Sequence, residues 1–251
     1  MPVPRPNSRI RIHLVHEDAN TVVMNKMPGV VTEPGRSHRD DSLLNGLFAH
    51  DGQRLARQLT QLGEGRDWGL LHRLDRLTSG LVLAALDGAA WDALRSDFEA
   101  RRVEKSYLAI VRGDLTAESG EIRTPLSERL DGDYRVSVLD PHGKDAHTRY
   151  RVLERAGRYA LVECDLITGR MHQIRVHLAS IGAVVAGEPI YEIGGRAKPN
   201  AGRAKDPQLH LHAWRLAFTH PVSGERLRLT GEPPRRFAEF ATSHELTLPT
   251  S

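Results

Sequence analysis

Cysteine is all but missing: Cys164 is the one thiol in 251 residues, so no intrachain disulfide can form and a reducing compartment is expected. It stands in the strand-like stretch 159–166, where a free cysteine serves as a small buried hydrophobe. No apolar run approaches the ~20 residues needed to span a bilayer. The opening Met-Pro-Val-Pro-Arg-Pro-Asn-Ser-Arg has neither an apolar leader region nor a cleavage pattern. A soluble, cytoplasmic monomer is the expectation. No Walker loop, Gly-x-Gly-x-x-Gly turn or Gly-x-Ser-x-Gly elbow occurs. Lysine is scarce too: of 35 lysines and arginines only five are lysine, leaving 30 arginines at a net charge of +3. Arginine's planar fork pairs with phosphate and stacks on bases, which suits a nucleic-acid surface, although arginine-favouring codon usage gives the same composition.

Histidine is plentiful, but its spacing argues against a metal. His172 and His177 stand five apart, about 140° around a helix, so they do not share a face. His210 and His212 share a strand face without an acid or cysteine at ligand spacing beside them. Chemistry free of metal and cofactor is expected.

Period-2 patterns dominate the chain. Ile10, Ile12 and Leu14 alternate, a turn at Glu17-Asp18-Ala19-Asn20 follows, and 21–24 resumes as the second strand of a hairpin. Met27-Pro28-Gly29 leaves the sheet through a turn that needs glycine's positive φ. Asp41 or Ser42 caps a helix with Leu43, Leu44, Leu47 and Phe48 inward. A second helix is predicted over Gly88–Arg102, with Asp87 as N-cap, Trp91, Leu94 and Phe98 as buried stripe, and Arg101 and Arg102 answering its C-terminal dipole. The stretch 103–113 reads as a strand with Lys105, Tyr107 and Ala109 on one face. Strands recur over 148–152 and 159–166. Met171, Ile174, Leu178 and Ile181 then follow helical spacing, with His172, Arg175 and Ala179 on the opposite side and Gly182 as the residue after the cap. Length and composition suit one domain.

The most informative segment is His72-Arg73-Leu74-Asp75-Arg76-Leu77-Thr78-Ser79-Gly80. It sets one carboxylate, Asp75, between two arginines ahead of an apolar strand, an arrangement that keeps an acid ionised where water is excluded. A solvated surface ion-pair cluster has the same composition. Two further segments decide between these readings. Lys105-Ser106-Tyr107-Leu108-Ala109 and Gly169-Arg170-Met171-His172-Gln173-Ile174-Arg175-Val176-His177, taken in order with the first, resemble the signature of the RluA-type pseudouridine synthases. Asn25-Lys26-Met27-Pro28-Gly29, Gly143-Lys144-Asp145-Ala146 and His220-Pro221-Val222-Ser223-Gly224-Glu225 also look like that family.

The resemblance implies an α+β pseudouridine synthase fold, a central, mostly antiparallel mixed sheet flanked by helices and loops with a catalytic cleft. The catalytic domain would span 10–240, with 1–9 and 241–251 as tails, and without the S4 RNA-binding domain of many relatives. By the same resemblance Asp75 is the catalytic carboxylate, Tyr107 the base-stacking phenol and Arg175 the ion-pair partner of Asp75. Arg73, His72, Lys105, Arg170, His172 and Gln173 fall in substrate-binding positions, Arg73 entering the RNA stack where the target base leaves. The implied substrate is structured RNA, ribosomal or transfer. The chain departs from the family where relatives commonly read Gly-His-Pro-Ile-x-Gly-Asp: here Gly182-Ala183-Val184-Val185-Ala186-Gly187-Glu188 leads into a loop (192–206) rich in glycine and cations, of a composition that touches RNA phosphate or simply forms a surface excursion. Two rivals stand beside this reading: a catalytically silent RNA binder on the same scaffold, and a glycosidase pairing Asp75 with a second acid such as Glu163 or Asp165.

Overall fold

A computed structural model describes residues 3–35, 37–132, 134–199 and 208–250. In chain order its elements are β1 (Leu14–Glu17), β2 (Thr21–Lys26), α1 (Leu43–Ala49), α2 (Arg54–Leu62), β3 (Ser79–Ala85), α3 (Gly88–Glu99), β4 (Glu104–Gly113), β5 (Ser119–Ile122), β6 (Leu126–Asp131), β7 (Tyr134–Leu139), β8 (Thr148–Ala156), β9 (Tyr159–Leu166), α4 (Gln173–Ser180), β10 (Ala183–Val185), β11 (Leu211–Thr219), β12 (Arg226–Thr230) and α5 (Arg235–Ser243). The class is α+β, mostly antiparallel sheet flanked by helices, as expected. Among the described residues no helix is long and apolar enough to cross a membrane. The chain folds as two compact units, one of residues 1–104 and 214–232, the other of 105–213 and 233–251.

In the first unit β2 lies antiparallel between β1 and β3, and β12 pairs antiparallel with β11. The β1–β2 hairpin closes as expected because Asp18 Oδ1 accepts from the N–H groups of Asn20 and Thr21. Its first strand begins only at Leu14. The alternation at Ile10 and Ile12 reflects packing on α1, where Gly46 lets these side chains approach so closely that a Cβ there would meet Ile10 Cγ2 at 2.8 Å. Ser42 and Asn45 form the capping box of α1. Leu94 and Ala90 of α3 bury against Val23, Leu83 and Phe218, with Trp91 and Phe98 at the edge of that cluster. The helix ends three residues before the predicted Arg102. Arg101 takes a left-handed φ of 58°, while Arg101 N–H bonds to Phe98 O and Arg102 N–H to Asp97 O, the Schellman pattern with arginine where glycine is usual.

In the second unit β9 pairs with β4 and β8, β5 with β8, and β10 with β4, all antiparallel; β6 and β7 form a separate hairpin. Cys164 is buried on β9, as its setting predicts. Phe237 and Ala241 bury on α5, and Leu246 beyond it is also buried. The largest correction concerns α4. It was expected to be amphipathic, but every residue from Gln173 to Ala179 is buried. The helix is interior, so its polar side chains are placed by hydrogen bonds rather than by water. It starts at Gln173, with His172 as N-cap in the left-handed region (φ 53°), and ends at Ile181 with Gly182 (φ 91°) as the expected following residue. The chain then runs through β10 to Gly187, where φ is 77° and a Cβ would sit 1.8 Å from Gln208 O.

Gly187→Ala is therefore expected to destabilise the protein by about 3 kcal/mol, combining left-handed strain with a backbone clash. Denaturant unfolding checks this, and a loss below about 1 kcal/mol would contradict the close approach.

Candidate active site

The residues singled out from the sequence fall into two groups. In the first unit, His72, Arg73 and Asp75 lie on the segment that enters β3. Thr32, itself buried, clamps this segment: Leu74 N–H donates to Thr32 Oγ1 (3.0 Å) and Thr32 Oγ1 donates to Leu74 O (2.9 Å). Asp75 then opens a turn closed by Thr78 N–H on Asp75 O (3.1 Å). Beneath that turn lies Lys26, fully buried, whose Nζ donates to Val30 O (2.7 Å), Met27 O (3.1 Å) and Arg76 O (3.3 Å). Burial pushes the Lys26 ammonium down to about 7, while the negative charge of Asp75 pushes it back up. Three carbonyl acceptors match the three protons of an ammonium, so the hydrogen bonding also favours the charged form.

The neighbours of Asp75 differ in exposure. Arg73 is 68% exposed and pairs with Glu33. His72 is half-buried; its Nε2 accepts from Leu83 N–H (3.1 Å) and its ring stacks on Phe98 with centroids 5.3 Å apart. Its imidazole is thus built into the packing that fixes the segment to β3 and α3.

The second unit holds Lys105, Tyr107, Arg170, His172, Gln173 and Arg175. Tyr107 is buried on β4, in register with Cys164 of β9. Lys105, two residues earlier, has its Nζ beside the turn that leads into α4, 3.9 Å from where a Gly169 Cβ would stand. Burial pushes its ammonium down to about 8. Asp165 accepts from Ser106 Oγ (2.6 Å) and Glu163 pairs with Arg151 (2.6 Å), so both acids considered as second carboxylates are engaged along β9.

Gln173 joins the start of α4 to its surroundings. Its Oε1 accepts from Thr168 Oγ1 (2.7 Å) and Arg170 N–H (3.1 Å), and its Nε2 donates to Thr148 Oγ1 (2.9 Å) and His147 O (3.0 Å). Thr148 Oγ1 in turn lies 2.9 Å from Nδ1 of fully buried His177, whose Nε2 lies 2.9 Å from Thr124 O. A carbonyl can only accept, so a proton sits on Nε2; burial disfavours a second proton on the ring, so Nδ1 accepts from the Thr148 hydroxyl in the neutral form. Arg170, exposed, donates through Nε to Asp145 O (2.9 Å). His172 Nδ1 lies 2.7 Å from the Tyr191 hydroxyl, which also accepts from Ser137 N–H (2.9 Å).

Arg175 is only 2% exposed and is gripped along one edge. Its Nε donates to Glu188 Oε2 and its Nη2 to Glu188 Oε1, both at 2.7 Å, and Glu188 is 1% exposed. Its guanidinium also lies 5.5 Å from the centre of the Tyr191 ring. The acid expected beside Arg175 from the sequence is Asp75; Glu188 is a further partner that the sequence reading does not include. The available signal was the Gly187-Glu188-Pro189 departure, a carboxylate just after a glycine in a segment returning from the helix. Among the described residues no group of three or more His, Cys, Asp or Glu side chains is arranged to hold a metal ion.

Residues 20–180 match the model of the RNA pseudouridylate synthase family, a stretch that includes the Asp75, Tyr107 and Arg175 segments. The chain belongs to that family. It is 38% identical over 222 residues to ribosomal large subunit pseudouridine synthase D of Nitrosomonas europaea, covering 87% of this chain and 61% of that protein. The protein of the same name from Zymomonas mobilis is 34% identical over 245 residues, covering 94% of this chain and 74% of its own length. Among solved structures, human RNA pseudouridylate synthase domain containing 4 superposes with a TM-score of 0.65 at 26% identity, covering 95% of each chain. The RluA-type resemblance and the pseudouridine synthase fold are thereby established. The chain spans about three fifths of the length of the Nitrosomonas relative.

The His177 network gives this pseudouridine synthase-family chain an acid-labile element. Burial lowers the His177 pKa below its usual 6.5, against the raising effect of the Thr124 carbonyl. The unfolded chain therefore takes up the proton first as pH falls, and this stabilisation is present above pH 6.5 and lost below it. His210, lowered chiefly by burial, acts in the same direction. Unfolding free energy is expected to drop from about pH 7 to about pH 5, and His177→Gln should flatten the slope. An unchanged slope in the variant would assign the acid sensitivity elsewhere.

Proposed function

We propose that the chain is an isomerase that converts uridines of structured RNA to pseudouridine, with Asp75 as catalytic carboxylate and Tyr107 and Arg175 as its partners. The observation that carries this reading is the family match over residues 20–180, which contains each of the three motifs. The relatives from Nitrosomonas and Zymomonas are named for the large ribosomal subunit, which favours ribosomal over transfer RNA as the substrate.

The reaction breaks the N1–C1′ bond, turns the base, forms a C5–C1′ bond, and moves a proton from C5 to N1, with no net redox change. Asp75 either attacks C1′ as a nucleophile or removes the 2′ proton to give a glycal. A guanidinium beside it favours the ionised form needed for both. Tyr107 stacks on the base and assists removal of the C5 proton, directly or through water. A stacked uridine hides C1′, so the nucleotide must be flipped at a cost of a few kcal/mol. The exposure of Arg73 suits a side chain that fills the gap left behind. Lys105 and Arg170 are cations suited to the RNA backbone, and His172 to a polar contact. Gln173, with its amide engaged on both sides inside the second unit, supports them by fixing α4. Residues 10–240 act as the catalytic domain, monomeric, cytoplasmic and working without metal or cofactor.

Asp75→Asn is expected to abolish pseudouridine formation, read as release of tritium from RNA labelled at uridine C5, with affinity for the RNA kept within about fivefold. Retained turnover would remove Asp75 from the catalytic role. Tyr107→Phe should mainly lower turnover, and loss of affinity alone would make Tyr107 only a stacking platform. Arg73→Ala should slow action on folded RNA more than on a short single strand, because only the folded substrate must be unstacked. Equal slowing on both would dismiss the flipping role.

A further inference from the structure

We propose that Glu188 is a positioning residue for the isomerisation: it fixes the Arg175 guanidinium in the one orientation the reaction uses. The inference rests on the reading of Asp75 and Arg175 given above. Glu188 holds Arg175 by two parallel 2.7 Å bonds from Nε and Nη2, the fork geometry that sets the guanidinium plane as well as its position. The carboxylate is itself immobilised, since Oε1 also accepts from the N–H groups of Ile190 (2.8 Å) and Tyr191 (3.3 Å). Lys198 Nζ binds only the backbone carbonyl of Glu188 (2.6 Å), so it braces the loop and leaves the hold on the guanidinium to the side chain. Any rotation of the guanidinium would break two charge-assisted bonds between side chains that are almost fully buried.

The route of the chain explains how the acid arrives there. After α4 the chain reverses at Gly182, runs along β10 and turns at Gly187, which delivers residue 188 back against the helix it has just left. Glu188 also answers the charge problem of the helix, since a guanidinium cannot be buried unpaired. It leaves the charge in place while restricting its direction, which is what preorganised catalysis requires of a cation.

Glu188→Gln is the informative variant. Its amide oxygen can keep the bonds from Ile190, Tyr191 and Arg175 Nη2, while its amide nitrogen faces the Nε–H of Arg175, donor against donor. With the full chain and a large-subunit ribosomal RNA transcript, we expect kcat to fall about 30-fold, KM to stay within about threefold, and Glu188→Asp to recover kcat to within about fivefold of the parent. Lys198→Met removes the clasp on the same loop without touching the carboxylate; it should lower the unfolding temperature and leave kcat within about twofold. The proposal is overturned if Glu188→Gln keeps its kcat, if its loss lies only in KM, or if aspartate is no better than glutamine. Should Glu188→Gln not fold, the remaining pair decides: Glu188→Asp must lose more kcat than Lys198→Met while unfolding at a higher temperature, and the reverse order overturns the proposal. Asp75→Asn, assayed alongside, separates the two levels. If it is active, the reading of the site fails whatever Glu188 does; if it is inactive while Glu188→Gln is fully active, only the positioning role fails.

Discussion

A guanidinium with almost no access to water governs the second unit. Taking an ion of this size from water into a protein interior costs several kcal/mol even after relaxation, so Arg175 can sit on an interior helix only if an acid meets it there. Glu188 meets it, and the requirement spreads outward. The acid must be brought back by a reversal after α4, which places left-handed glycines at 182 and 187. The loop beyond must close over the pair, which it does through Lys198 Nζ on Glu188 O and Lys198 N–H on Ile190 O. Removing one partner of such a pair costs roughly 3–5 kcal/mol because the other is left buried and uncompensated. The pair is thus weak evidence of added stability but strong evidence of a fixed geometry.

The first unit solves a related problem with the opposite sign. Asp75 is only partly buried, and the backbone on either side of it is held by residues distant in sequence. Thr32 pins Leu74 immediately before Asp75, Lys26 binds Arg76 O immediately after it, and the Asp75–Thr78 turn closes over the lysine. The buried ammonium also contributes charge close to the acid. Two of these supports, Thr32 and Lys26, come from residues 26–32, which ties the Lys-Met-Pro-Gly segment to the His-Arg-Leu-Asp segment although about 50 residues separate them in sequence.

What was legible in the sequence followed from local rules. The β1–β2 hairpin, the caps of α1 and α3, the Pro28-Gly29 turn and the β8–β9 pair are each specified within a few residues, and the motif residues were found because chemistry restricts residue type. What escaped depends on tertiary context. Arg101 supplies a left-handed cap usually left to glycine, so nothing in the local sequence marks the end of α3 at Glu99. The α2 helix (54–62) buries Leu55, Ala56, Leu59 and Leu62 at helical spacing, a short amphipathic stretch that the sequence reading above does not include. The pattern of α4 reads as amphipathic because Met171, Ile174, Leu178 and Ile181 share one face and His172, Arg175 and Ala179 the other; in the structure Gln173, Arg175 and His177 are buried with Thr148, Glu188 and Thr124 as partners, and these lie 13 to 53 residues away in sequence. Lys198 shows the same limit: it read as a candidate phosphate contact, yet its ammonium binds a backbone carbonyl. Arg203 and Lys205 of that loop lie outside the described residues.

Polar side chains inside α4 fall into two electrostatic regimes, and the contrast bears on how the helix is held. The Thr168–Gln173–Thr148–His177–Thr124 chain is neutral: every donor meets an acceptor, and burial holds His177 uncharged. One helical turn of the same element carries the charged Arg175–Glu188 pair. A neutral network costs little to bury once satisfied and locks the helix in register, whereas a charged pair is tolerated only if something else holds its geometry. The division of labour follows from that asymmetry. The neutral side anchors α4 to the sheet at Thr148, and the anchored helix lets a single arginine be presented with its plane fixed. In the isomerisation proposed above, a cation held this way would have its orientation established during folding rather than during the chemical step, which is what electrostatic preorganisation requires.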